Sequence, residues 1–319
     1  MLLIKSLCDE LLSSNKSIKI IGIVAQAGEK DILSHEEGDT LEIGLTKEMY
    51  LRIFKESHEY FNSHYDDRLN IESLSHSQLD KMYYMTLGYL ITTNEHSTII
   101  ALHEELVHRL GNYKYDLEIV SSFLTCRMKR INKSSSLWHW LRKLTINQIR
   151  HSDNLRKLLQ RALVSCQLHF ANYYANNYLQ WLITMFRLTR VELEDFQDSL
   201  LKSCRAQLSD SSLWGTLKVY LKPDDNMINY IVGEYKRFTG LDLPKTFARV
   251  DHDSTIIQLF EWLLRSQCTF TTPFRVLTES TDSLKTLSKL EQMLNGSALE
   301  SSCKVKKELI KRKELLETI

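Results

Sequence analysis

Lys133 stands one residue ahead of a predicted helix start at Ser134. That place suits an anion, because the free backbone N–H groups of a helix N-terminus point toward it. Arg130 belongs to the basic run Arg127-Met128-Lys129-Arg130 just upstream, and Tyr173 and Tyr174 open the following predicted helix behind Asn172. Paired tyrosines at a helix start commonly serve as interface packing. Lys133 equally reads as one more exposed lysine of a basic stretch. Beyond these residues little chemistry is visible. The eleven histidines form no HExxH pattern, and His103 and His108 are five apart, too far round a helix to share a ligand face. His35-Glu36-Glu37 and His58-Glu59 read as surface. There is no P-loop, no GxGxxG and no serine-nucleophile signature, so the chain alone shows no catalytic apparatus.

Four segments that recur at one interval must position these residues. His96–Ile100, Ser134–Trp138, Asn172–Asn176 and Asp210–Trp214 align, and their last residues stand 38 apart in each step. Periods of this size mark helical hairpins that stack on one another. Ser134, Asn172 and Asp210 occupy one repeat position and are favoured N-caps, which His96 is not. The first helices of the hairpins read as Leu79–Thr92, Asp116–Met128, Asn154–Leu168 and Val191–Gln207, and the second helices follow the caps. Ile100, Trp138 and Trp214 form one apolar column, and Leu106, Leu144, Leu182 and Tyr220 form another. Trp138, Trp140, Trp181 and Trp214 read as core or interface. A fifth unit fits Asp251–Leu264, out of register because Lys222–Lys245, with two prolines, Gly233 and Gly240, reads as a long loop.

Outside the array, Met1–Ser14 reads as an amphipathic helix. Ile18–Val24 and Thr40–Leu45 read as strands of a small hairpin-like element across the polar run that begins Gly28-Glu29-Lys30-Asp31. Past Thr269 the pattern fades, with Ser283–Leu294 as one capping helix and a charged helix or frayed tail from Cys303. The expected fold is therefore all-α: a right-handed superhelical array of α-α hairpins over residues 76–300. Residues 1–75 form a non-repeat segment and 301–319 a tail. With 41 basic against 40 acidic residues the net charge is +1, which does not favour a nucleic-acid partner. No stretch approaches the ~20 apolar residues of a membrane span and no apolar leader is seen. The expected location is cytoplasmic, without integral membrane association. None of the six cysteines forms a CxxC. Cys166 and Cys204 are 38 apart, with Cys126 forty before Cys166, as one recurring core position would be.

A capped helix with an aromatic at its fifth position, behind a helix opening Asp116-Leu117-Glu118, resembles the repeat of protein prenyltransferase α subunits. That signature is Lys/Pro-Asn-Tyr-x-x-Trp-x-x-Arg. Lys133-Ser134-Ser135-Ser136-Leu137-Trp138 and Asn172-Tyr173-Tyr174-Ala175 carry the likeness, which extends over residues 76 to 264. The divergent α-subunit repeat branch is the nearest. The resemblance implies an α-type subunit of a heterodimeric geranylgeranyltransferase, paired with the β subunit of the Rab-type enzyme. It implies transfer to a C-terminal cysteine of a protein substrate, such as a farnesylated SNARE. Zinc and geranylgeranyl diphosphate would sit on the β subunit, and this chain would bind no metal. Carried over by position, Lys133 and Tyr174 would be catalytic, and Tyr173 and Arg130 would bind substrate. The other reading is a non-catalytic helical scaffold for a protein partner. A membrane-surface adaptor using the basic tail is weaker still, since the tail has no clear apolar face.

Overall fold

The structure is a computed structural model that describes residues 3–25, 30–65, 70–93, 95–149, 156–189, 193–243, 250–297 and 302–318. The expected positions Gly28, Glu29, Asn154, Val191, Pro244 and Lys245 lie outside the described residues. Helices hold 73% of the described residues, so the fold is all-α apart from one small sheet. The elements run α1 (Leu3–Ser13), β1 (Ile18–Val24), β2 (Ile32–Glu37), β3 (Thr40–Thr46), α2 (Lys47–His64), α3 (His76–Thr92), α4 (Ser97–Leu110), α5 (Tyr113–Leu124), α6 (Lys129–Asn132) and α7 (Ser135–Gln148). Then follow α8 (Arg156–Leu168), α9 (Tyr173–Leu188), α10 (Glu194–Ala206), α11 (Ser211–Leu221), α12 (Asp225–Thr239), α13 (Asp253–Arg265), α14 (Thr271–Ser280), α15 (Leu284–Asn295) and α16 (Ser302–Glu317). Two compact units divide the chain, Met1–Tyr178 and Leu179–Ile319.

In the first unit the hairpins α3–α4 and α5–α7 form where the 38-residue register places them. All four caps are made. Ser134 Oγ accepts from Leu137 N, Asn172 Oδ1 from Ala175 N, and Asp210 Oδ1 from Ser212 N and Leu213 N. His96, the unfavoured member, also caps, its Nδ1 accepting from Ile99 N at 3.3 Å. An imidazole nitrogen can replace the usual hydroxyl or carboxylate oxygen because the orphan donor needs only a lone pair. The column Leu106, Leu144, Leu182 and Tyr220 is buried throughout, as are Trp138, Trp140, Trp181, Trp214 and the cysteines 126, 166 and 204.

Residues 1–75 pack into the first unit. Helix α1 buries Ile4, Leu7, Cys8 and Leu11, one stripe at helical spacing, and packs on α3 and α5. The sheet has strand order β1-β3-β2. The expected hairpin partners, β1 and β3, are instead parallel neighbours, Ile18 beside Thr40 through Val24 beside Thr46. The hairpin is β2–β3, closed by a two-residue turn in which Gly38 takes φ 54°. Strand β2 reads as a polar connection because it is the outer strand, and from Leu33 to Glu37 every side chain is exposed. The other edge is covered: Ile21 N donates to Thr125 O at 3.2 Å and Arg127 N to Ile21 O at 2.8 Å.

Gly88 of α3 lies close against α2. A Cβ there would lie 2.2 Å from Ser57 Oγ and 3.3 Å from Ile53 Cγ2. Alanine would gain about 1 kcal/mol of helix propensity, but overpacking a filled contact costs about 1–3 kcal/mol. Gly88→Ala is therefore expected to lower stability in urea unfolding. Ser57→Gly in the same chain is expected to restore most of it. Equal stability of Gly88→Ala and the parent would refute the close contact.

The second unit corrects the expected loop at Lys222–Lys245, which contains α12. Asp224 caps that helix through Oδ1, accepting from Asn226 N and Met227 N, and Gly240 ends it at φ 70°. Gly240 past the end is the usual C-terminal punctuation of a helix, and Pro223 lies ahead of the cap, where it breaks no intrahelical bond. Helix α14 was masked in the same way by Pro273, which is harmless at its third residue because first-turn N–H groups have no intrahelical partner. The expected tail is α16, which packs on α14 and α15 and buries Val305 and Leu309. Among the described residues no helix is long and apolar enough to cross a membrane.

Candidate functional site

The basic run folds as the short helix α6, and its anchor is Asn132. That buried side chain donates to Leu124 O at 2.7 Å, and its Oδ1 accepts from Asn172 Nδ2 at 2.5 Å. Its carbonyl accepts from Trp138 Nε1 at 2.7 Å. One amide thus ties the ends of α5 and α6 to the starts of α7 and α9, and Ile131 beside it is also buried. Lys129 and Arg130 are left outward and exposed.

Lys133 does not face the N-terminus of α7. Its Nζ donates to the carbonyls of Phe170 at 3.0 Å and Ala171 at 3.4 Å, closing the turn between α8 and α9. The anion seat that the sequence predicts at Ser134 exists, but the chain's own Glu95 fills it. The Glu95 carboxylate accepts from Ser134 Oγ (2.8 Å), Ser135 Oγ (2.8 Å), Ser136 Oγ (2.7 Å) and Ser136 N (3.2 Å). Burial pushes that carboxyl up, but the serine hydrogen bonds outweigh it and hold it below the usual range. Glu95 and Lys133 are 38 apart and each precedes a cap. From this repeat position a side chain reaches the next copy's turn, where an acid finds hydroxyls and N–H groups and a lysine finds carbonyls.

Held by Lys133, the α8–α9 turn displays three aromatic rings: Phe170 is 59% exposed, Tyr173 63% and Tyr174 41%. The two tyrosine rings meet edge to face at 5.9 Å, and Tyr173 N bonds Ala171 O at 3.0 Å, with Ala171 at φ 51°. His169 joins the segment ahead of α6 to this turn through Nε2 and Cys126 O at 3.2 Å. Burial, with the charges of Lys133 and Lys129, holds its pKa below the ordinary histidine value. On its other side α6 borders a groove of about 440 Å³, where Lys129 and Arg130 stand with exposed Leu51 and Phe54 of α2. All four residues singled out from sequence therefore gather around α6 and the next turn. Phe170, Lys129, Leu51 and Phe54 complete a cationic, aromatic surface. The only sequence signal for Phe170 was its place at a repeat's turn, and Leu51 and Phe54 carried none.

Residues 1–125 match the family model of the ECM9 N-terminal domain, and residues 137–241 match that of the ECM9 middle domain. The chain is similar to ECM9 over these two stretches. It is 26% identical over 266 residues to Protein ECM9 of Saccharomyces cerevisiae, across 77% of this chain and 68% of that protein. The basic run of α6 falls between the two matched ECM9 stretches, and the exposed groups on either side of it fall one within each. These matches correct the resemblance to prenyltransferase α subunits. With it go the geranylgeranyltransferase function and the assignment as an enzyme subunit, because the matches are to ECM9, whose name states no activity. The residues agree with the correction: Ile100 and Asn176 stand where two signature tryptophans belong, and Asn176 is engaged with Asn172 O. The catalytic roles of Lys133 and Tyr174, the substrate contacts of Tyr173 and Arg130, and a β subunit carrying zinc and lipid diphosphate were implied by that resemblance alone.

Proposed function

We propose that this chain is a non-enzymatic binding scaffold that holds an acidic segment of a partner protein on the surface around α6. The observation that carries the proposal is the exposure of Phe170, Tyr173 and Tyr174 at a turn held by Lys133, which directly follows α6 with its exposed Lys129 and Arg130. Large rings left in water by an otherwise well-packed turn are the residue types that dominate protein interfaces. Cations beside them set the sign of the partner, since complementary charge steers encounter and fixes register. Backbone rigidity comes from Asn132 and Lys133, so binding would order only side chains.

A photo-cross-linking residue placed at Tyr173 in living cells tests this. A discrete adduct with another protein is expected, absent when the probe sits at exposed Lys55, and lost on charge reversal by Lys129→Glu with Arg130→Glu. An acidic peptide rich in Glu and Leu is expected to bind the purified chain and to lose about tenfold or more in affinity with the same reversal. No adduct above the Lys55 control, or tighter binding of single-stranded RNA than of the peptide, would overturn the proposal.

A further inference from the structure

Within the second unit a cavity of about 650 Å³ opens beside Arg187 and His252, and neither group has a role in the surface around α6. Arg187, in the last turn of α9, donates from Nη1 to Val219 O at 2.9 Å and from Nη2 to Tyr220 O. Its guanidinium lies 5.3 Å from the centroid of the Tyr220 ring. It therefore caps the C-terminus of α11, whose dipole offers only about half a negative charge against a full positive one. Among the described residues no carboxylate pairs with Arg187, and burial holds its pKa down to about 10.

His252 is 8% exposed, and its Nε2 is buried without a hydrogen-bond partner among the described residues. It occupies the N-cap position of α13, but its side chain does not cap that helix. Burial, then the charge of Arg187, holds its pKa below the ordinary value, with Asp251 acting the other way. An unpartnered buried polar atom, a surplus guanidinium charge and a helix N-terminus thus converge on one cavity, and each is relieved by an anion.

Four carboxylates also border this space, and three of them are engaged. Asp253 accepts from Thr281 Oγ1 at 2.7 Å and Thr286 Oγ1 at 2.6 Å. Asp282 pairs with Lys222 at 2.6 Å and Arg312 at 2.5 Å. Asp251 accepts from Asp253 N at 2.8 Å, and Asp225 is exposed on the first turn of α12. The remaining wall mixes Lys222, Ser280 and Thr281 with an apolar side formed by Leu221, Pro223 and Ile256. Its volume of about 650 Å³ is that of a small-molecule site. We propose that this cavity binds a small organic carboxylate, its charged end on Arg187 and His252 and its apolar body on Leu221, Pro223 and Ile256.

Sodium hexanoate is the probe, with hexanol and inorganic phosphate as comparisons, all on the full chain. Titration is expected to show saturable hexanoate binding, with the His252 ring resonances in NMR shifting in step. Hexanol and phosphate are expected to bind at least tenfold more weakly. His252→Leu is expected to weaken hexanoate tenfold or more while the unfolding transition is kept. Arg187→Gln removes the cap of α11 and can unfold the chain, so the resonance shift in the parent is the deciding measurement. Unmoved His252 resonances at saturating hexanoate would overturn the proposal. So would equal binding of hexanol, which marks a merely apolar hollow, or of phosphate, which marks a general anion seat.

Discussion

Replacing Glu118 by Gln is expected to cost this chain about 3–5 kcal/mol, the range for breaking a buried ion pair by removing one partner. Glu118 of α5 receives three cations. Lys19 Nζ from β1 and Arg161 Nη2 from α8 both lie 2.6 Å from Oε1, and Lys157 reaches Oε2. Lys19 and Arg161 are buried, and each holds the backbone as well, Lys19 through Leu11 O and Arg161 through Ser17 O at 2.7 Å. Glutamine would leave both cations in place without an anion. Burial pushes the Glu118 carboxyl up, but Arg161 and Lys157 outweigh it and hold it at about 2, against 4.5 unperturbed. A folded-state value below the unfolded one contributes stability that is fully present above about pH 5 and is lost as pH falls toward 2. The shift corresponds to about 3 kcal/mol, of the same order as the mutational cost. Hydrogen exchange of α5 and α8 at pH 7 is expected to show the full deficit in Glu118→Gln, narrowing toward pH 3. Lys157→Ala, whose side chain is 26% exposed, is expected to cost under about 1 kcal/mol, because two cations remain on the carboxylate. A loss below 1 kcal/mol for Glu118→Gln would show that the cations find other partners.

What was legible in the sequence was whatever repeats. Ser134, Asn172 and Asp210 at one spacing fixed three helix starts, and the cysteine and leucine columns fixed which faces meet, because stacked hairpins bury equivalent positions. Non-local features had no such signal. The parallel pairing of β1 with β3 depends on which edge the 125–127 segment covers, and no local pattern states that. Helix α12 was lost because Gly233 and Pro223 suggest breaks, although Gly233 faces solvent where no Cβ is needed for packing. At the candidate surface, Lys133, Tyr173 and Tyr174 were legible as neighbours because residues one period apart meet. Their chemistry was not. A 38-residue hairpin with an Asn or Ser cap and an aromatic five residues in is a way to stack helices, and a fold does not carry a reaction with it. Lys133 shows the difference: the position that invited a diphosphate is occupied by two backbone carbonyls.

Asp116→Ala is expected to destabilise the chain by about 3–5 kcal/mol, for a reason different from Glu118: here the orphans are neutral donors as well as a ring nitrogen. Asp116 is fully buried in α5. Oδ1 accepts from Tyr83 OH at 3.0 Å and stands 3.0 Å from His103 Nε2, and Oδ2 accepts from Trp140 Nε1 at 2.6 Å. His103 is fixed on its other side by Thr86 Oγ1, 2.8 Å from Nδ1. Four helices, α3, α4, α5 and α7, thus meet on one carboxylate. Burial, then the Asp116 charge, pushes the Tyr83 hydroxyl well above its ordinary pKa, so that it stays a donor across the working range. Asparagine separates charge from hydrogen bonding. Its amide has one acceptor, so whichever way it turns, an N–H meets Trp140 Nε1 or the Tyr83 and His103 pair. Asp116→Asn is therefore expected to cost about 2–4 kcal/mol despite equal volume. Tyr83→Phe is the contrasting case: one donor leaves, nothing is orphaned, and the cost falls to about 1 kcal/mol. Urea unfolding of the three variants decides it. Equal losses in Asp116→Asn and Tyr83→Phe would mean that the carboxylate serves as a space-filling polar group rather than the shared acceptor of the four helices.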